Sequence, residues 1–127
     1  MSAEPIVWII DSEHWARACL GAELIERGFN AVGYVELDRA LEVLRRATAV
    51  RPVVIVLELR GQELTSEKLG ELAQSGIPIV AIAGASERSD PLVQEFLWAA
   101  LFPRPVTLGE IADAVESLVH RTIARNK

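Results

Sequence analysis

The sequence predicts an α/β domain: a parallel five-stranded sheet with helices on both faces. Three observations carry this. The segments Pro5–Ile10, Pro52–Leu59 and Ile77–Ala83 are almost wholly apolar. They lack the alternation of a sheet wetted on one side, and so suit strands buried on both faces. Helix-period segments with their own start and stop residues fall between the strands. Strict alternation of this kind implies right-handed crossovers and a parallel sheet. The length, 127 residues, fits a single domain over 1–127 with its core at about 5–122. A domain of that size buries roughly two thirds of its unfolded-chain surface.

The elements follow in order. Pro5–Ile10 is the first strand, and Asp11-Ser12 follows it. Ser12 is placed to N-cap a helix running to about Arg27, with Trp15, Ala18, Ala22 and Ile25 as its inward stripe. Gly28 is the expected stop. Asn30–Val35 is the second strand. A second helix starts at Asp38, with Ala40, Leu41, Leu44 and Ala47 facing in. Pro52–Leu59 is the third strand. Its run Val53–Leu57 has four β-branched residues of five, and it ends in Glu58. A polar loop, Arg60–Ser66, leads to a third helix closed by Ser75-Gly76. Ile77–Ala83 is the fourth strand. Asp90-Pro91, a cap followed by Pro at the first helical position, opens a fourth helix over Pro91–Leu97. Ala99–Phe102 is a short fifth strand, followed by the turn Pro103-Arg104-Pro105. Thr107 and Glu110 form a capping box for the last helix, whose stripe is Leu108, Ile111, Val115, Leu118 and Thr122; its tail, Ala124–Lys127, is expected to fray.

Alternation alone leaves strand order open. The order common at this length is the flavodoxin-like 2-1-3-4-5, a (βα)5 three-layer sandwich, which sets the ends of strands one and three side by side. Asp11 and Glu58 then face each other at the sheet's carboxyl edge, where open α/β sheets hold their ligands.

Composition narrows the function classes. A net charge of −5 and the lack of any basic run argue against direct nucleic-acid binding. Cys19 is the single cysteine, which excludes an internal disulfide and a Cys-based zinc cluster and favours a cytoplasmic setting. Ile6–Ile10 is too short for a signal core or a membrane span.

Five features together resemble the receiver domains of bacterial two-component response regulators: Ile-Ile-Asp11, Glu-Arg-Gly28-Phe29, Pro52-Val-Val-Ile-Val-Leu-Glu58, Ile77-Pro78-Ile-Val-Ala-Ile-Ala83 and Arg104-Pro105. The match covers about residues 5–120. The resemblance implies a pocket in which two adjacent acids help hold Mg²⁺. In that pocket an aspartate accepts a phosphoryl group from a histidine kinase, a Thr or Ser grips it, and a lysine before a proline pairs with it. This chain departs at most of those places. Asp11 matches the first acid, but Ser12 stands at the second, Glu58 at the phosphoacceptor, Ala83 at the hydroxyl and Arg104 at the lysine, while Pro105 is kept. Leu101 replaces the aromatic that flips in the family.

The departures have physical consequences. Mg²⁺ wants several oxygen ligands, and serine for the second acid removes an anionic one, so binding is expected to be weak or absent; Asp11 and Glu58 are the ligands if any. Arg60, two residues past Glu58, brings a guanidinium near the crevice. The expectation is that Arg60 or Arg104 pairs with Glu58 or Asp11 and stands in for the cation. Glu58 is one methylene longer than aspartate, about 1.5 Å of extra reach, which moves its oxygen off the line of phosphoryl transfer. Without a hydroxyl at position 83 the transferred charge also lacks a donor.

Plainer roles stand beside these: Asp11 as a helix cap, Glu58 and Arg60 as a solvated pair, and Arg104-Pro105 as a turn with a cis peptide. Asp11, His14 and Glu58 as a transition-metal set is a further alternative. Trp8 and Trp15 are assigned to the core, as is Cys19.

The reading that follows is a phosphorylation-independent protein-interaction module with no enzymatic activity. Its partners would be a signalling kinase, an output protein or a second copy. Its surface would be the face of the fourth helix, fifth strand and last helix, with Trp98, Leu101, Phe102, Glu95 and Arg121 as contacts. The alternatives are a working receiver phosphorylated at Glu58 or elsewhere, a glutamate that imitates phosphoaspartate, and a small flavodoxin-like ligand binder or enzyme. Against the last, the sequence has no Gly-rich phosphate loop, nucleophile elbow or Ser-His-Asp set, and Gly84-Ala-Ser86 is a weak phosphate signal.

Overall fold

Five parallel strands form one sheet: β1 (Ile6–Ile10), β2 (Asn30–Tyr34), β3 (Val54–Glu58), β4 (Ile79–Ala83) and β5 (Ala100–Pro103), in the order β2-β1-β3-β4-β5. This computed structural model describes residues 4–125, with side chains to Arg121. Thr122, expected to face inward, and the tail at 126–127 lie outside the described side chains and residues respectively. Helices α1 (His14–Glu26) and α6 (Leu108–Arg125) cover one face, and α2 (Leu37–Leu44) and α3 (Ser66–Ser75) the other. The helix α6 continues through Arg125, past the point where fraying was expected.

Every residue of β3 and β4 is buried, as apolar strands in the middle of a two-sided sheet must be. Two cores result. Trp8, Ile10, Ile55 and Leu57 pack under α2 and α3, and Val7, Ile9, Val54 and Val56 under α1 and α6. Alternate strand residues divide between them because successive side chains point to opposite faces.

Start and stop signals act as their chemistry dictates. At the end of α1 the Phe29 N–H donates to Leu24 O and the Gly28 N–H to Ile25 O, both at 3.0 Å, with Gly28 at φ 92°. This is the Schellman arrangement, and it needs a residue at ease in the left-handed region. The carboxylate of Asp90 accepts the Leu92 N–H at 2.9 Å. Thr107 and Glu110 exchange their bonds as a capping box, at 3.1 and 3.3 Å.

Five expectations are corrected. First, α1 presents Leu20 and Leu24 to the sheet, while Trp15, Ala18, Ala22 and Ile25 face solvent, Trp15 at 72% exposure and Cys19 also exposed. Both stripes are apolar at helical spacing. Leu20, Leu24 and the close-lying Gly21 let the helix sit down on Ile9 and Ala31. Just past its end Arg27 pairs with Asp113 (2.6 Å) and Glu116 (3.3 Å) of α6. Second, Glu13 rather than Ser12 caps α1, its carboxylate accepting the Ala16 N–H at 3.1 Å. Third, Ala47 lies beyond α2 and is exposed. Fourth, Leu108, at the first turn of α6, is 38% exposed. Fifth, a single helical turn that was not expected, α4 (Ala85–Arg88), precedes the expected fourth helix, which is α5 (Pro91–Glu95) and stops two residues early, where Phe96 turns extended.

Candidate functional site

Parallel strands all end at one edge of the sheet, so the residues that follow β1, β3, β4 and β5 meet there. Asp11 follows β1 and Glu58 ends β3. They are the buried polar or charged residues among those described, at 7% and 4% exposure. A buried carboxylate needs partners, and the two find different ones.

Glu58 is fully engaged. Its Oε2 accepts the Arg60 backbone N–H at 3.0 Å, and its Oε1 is paired with the Arg104 guanidinium. Arg104 also donates through Nη2 to Glu87 Oε1 at 2.9 Å, which in turn accepts the Gly84 N–H at 2.8 Å. The Arg104 N–H is held by Ala83 O at 3.2 Å, and the Arg104–Pro105 peptide is cis. Glu58 thus raises the Arg104 pKa and keeps the guanidinium charged, while the Gly84 N–H, ahead of Arg104, holds the Glu87 carboxyl below its usual range. Gly84 makes the arrangement possible: a Cβ there would stand 2.8 Å from Arg104 Nη2.

Asp11 has no such cation. Its Oδ1 accepts the Glu13 N–H at 2.9 Å. Burial pushes its pKa up; the Glu13 N–H opposes this, the Glu58 charge adds to it, and Arg60 partly offsets it. Ser12 is exposed, and its hydroxyl reaches the Arg60 carbonyl only at 3.5 Å, a marginal bond. Gly61, at φ 80°, lies so close that a Cβ there would overlap Ser12 Oγ.

Of the six residues expected in the pocket, Asp11, Ser12, Glu58, Arg60 and Arg104 come together through these contacts, and Ala83, fully buried, closes the floor through its carbonyl. Of the two candidate cations, Arg104 supplies its guanidinium to Glu58, whereas Arg60 supplies its backbone. Gly61 and Glu87 were not foreseen, and Gly84 was marked only as part of a weak phosphate signal. Gly84 and Gly61 make room, and Glu87 completes the chain of charges; its spacing three residues past Gly84, before a helical turn, was the legible signal. Gln62 was also missed: its side chain accepts the Leu37 N–H at 2.8 Å and donates to Val35 O at 2.9 Å, tying the loop after β3 to the start of α2.

The anionic ligands on offer to a divalent cation are few: Glu58 Oε1 is paired with the Arg104 guanidinium, its Oε2 accepts the Arg60 N–H, and Asp11 Oδ1 accepts the Glu13 N–H, while Ser12 brings no charge. Among the described residues no three His, Cys, Asp or Glu side chains gather as a metal site, and His14 faces Arg17 and Trp15 at the surface instead.

The expected interaction surface divides. Trp98 is half-buried, its Nε1 donating to Val93 O at 2.8 Å and its ring 4.2 Å from Phe96. Phe102 packs on the core under α6, and Leu101 is 37% exposed. Glu95, Trp98 and Arg121 line one groove of about 690 Å³, beside Leu97, which is 94% exposed and was not singled out.

No protein-family model and no curated protein matches this sequence. Solved structures do match. A response regulator receiver domain protein from Clostridium thermocellum superposes with TM-score 0.76 at 14% identity, over 94% of this chain and 98% of that one. The FixJ-N structure gives 0.70 at 25% identity, over 93% and 94%. Full-length FixJ from B. japonicum gives 0.75 at 18% identity; the match covers 94% of this chain and 60% of that longer one. By its strand order, its helical layers and these superpositions, the chain has the fold of response-regulator receiver domains.

Proposed function

We propose that this domain is a receiver-fold protein-interaction module of bacterial, cytoplasmic two-component signalling that works without phosphorylation and has no catalytic activity of its own. Its partners are signalling proteins, a kinase, an output protein or a second copy, and it takes no Mg²⁺. The observation that carries this reading is the Arg104 guanidinium on Glu58. The carboxylate at the phosphoacceptor position is already neutralised by an internal cation that Glu87 holds from its other side.

Phosphoryl transfer depends on an in-line nucleophile and on donors at the transferred oxygens. Here both oxygens of Glu58 are occupied, and Ala83 brings a methyl group where a hydroxyl is needed. The same pairing argues against imitation of phosphoaspartate, since the added negative charge is cancelled inside the pocket. The pocket is a fixed platform for the loops around it.

The test is incubation with acetyl phosphate and Mg²⁺ followed by intact-mass measurement, with Glu58→Asp alongside. The expected result is no phosphoryl adduct on the parent. A stoichiometric adduct mapped to Glu58 would establish a working regulator and end this reading. Modification of the variant alone would identify the extra methylene as the lock; with neither modified, Ser12 and Ala83 are the decisive changes.

A further inference from the structure

The side of α1 that faces solvent is as apolar as the side that faces the sheet. Trp15, Ala18, Cys19, Ala22 and Ile25 are all exposed, Trp15 at 72% and Ile25 at 59%. Single exposed apolar side chains are ordinary; five along one helix face are a contiguous patch of the kind that marks an interface. A groove of about 340 Å³ runs beside it between α1 and the edge strand β2, floored by Ile9, Ala31 and Gly33.

The pattern along this face reads nearly the same in both directions. When a second α1 is laid across it antiparallel, with the two-fold axis level with Leu20, Trp15 falls opposite Ile25, Ala18 opposite Ala22, and His14 opposite Glu26. Large residues meet at the two ends. Small ones meet in the middle, where helix backbones approach most closely. Glu26 comes against the copy's first turn, where the helix dipole is positive, beside His14. A parallel copy would instead set Glu26 on Glu26. The charge and size complementarity therefore select one occupant. A two-fold axis also makes each such contact occur twice, as an isologous interface requires.

We propose that this chain forms a two-fold homodimer through its α1 faces, packed antiparallel. The dimer goes beyond the platform reading above and stands whether or not Glu58 accepts phosphate. α1 packs beside α6 on the same face of the sheet, but the dimer contact uses α1 residues alone, so Leu101, Glu95 and Arg121 are not part of it.

A helix of 13 residues spans about 20 Å, so the interface is small and its association weak. Cys19, the only cysteine, lies one residue from the axis and reports the register. The experiment is sedimentation of the intact protein from about 1 µM to several hundred µM, paired with a short bis-maleimide crosslinker. The mass is expected to rise toward twice the monomer, with Cys19–Cys19 crosslinks forming in step. Ala22→Arg should hold it monomeric with an unchanged circular dichroism spectrum, and Trp15→Ser serves as a second disrupting variant. Glu26→Arg and His14→Glu should each weaken association at least threefold, and the two together should restore it. A monomer at every concentration overturns the proposal, whatever the crosslinker traps. A dimer that Ala22→Arg and Trp15→Ser leave intact overturns it too.

Discussion

Asp11 and Glu58 sit at the ends of neighbouring strands, both carboxylates and both buried, yet the molecule treats them differently. Glu58 has a guanidinium; Asp11 has a backbone N–H and a nearby like charge. A buried carboxylate with a well-placed cation has its loss of water offset by that cation. One without is a cost that folding carries. The difference separates a position that organises the pocket from one that strains it, and it can be broken from either side.

The largest effect is expected at Arg104. Arg104→Met leaves Glu58 buried beside a thioether, with only the Arg60 N–H to satisfy it. Unfolding in urea should show a loss of about 2–3 kcal/mol, at the low end for a broken buried pair because Arg104 is 28% exposed.

The opposite sign is expected at Asp11. Its folded pKa is raised, chiefly by burial, so the unfolded chain ionises it more readily. Its contribution to stability is full below the ordinary aspartate range and is lost as pH rises through the raised value. Asp11→Asn keeps an acceptor for the Glu13 N–H and removes the charge. Thermal melts at neutral pH should show the variant more stable than the parent by about 1 kcal/mol, and the gain should vanish as pH falls below the usual carboxylate range. A gain that persists in acid would assign the effect to something other than charge.

The smallest effect sharpens the comparison. Gly84→Ala places a methyl group 2.8 Å from Arg104 Nη2, and the guanidinium must shift to admit it. A loss of about 1 kcal/mol is expected, and it should disappear in the Arg104→Met background, since the clash disappears with the guanidinium. Full additivity of the two substitutions would mean Gly84 serves the backbone and not the ion pair.

How much of this was legible in the sequence varies with how local the cause is. Asp90 before Pro91, Thr107 with Glu110 and Gly28 after α1 act within one or two turns of the chain, and the structure has each cap where the residues place it. The α1 face was misread because the helix carries two apolar stripes. A helical period identifies a stripe without saying which one meets the sheet. That was decided by the fit of Leu20, Gly21 and Leu24 on the sheet at Ile9 and Ala31, a contact that Arg27 accompanies by reaching Asp113 and Glu116, 86 and 89 residues away. In the same way, the sequence offered two arginines for one carboxylate. Arg60 is near in sequence but exposed, while Arg104 is brought to Glu58 by the pairing of β4 with both β3 and β5.

The sequence by itself determined the layer architecture. Unbroken apolar runs cannot be wetted on either face, and three of them among five strands that alternate with helices leave a covered parallel sheet as the solution. Tertiary structure alone decided the rotation of α1, the partner of Glu58, and the entry of Glu87 into the same network. Each of these depends on distances between residues tens of positions apart, which only the packed sheet fixes.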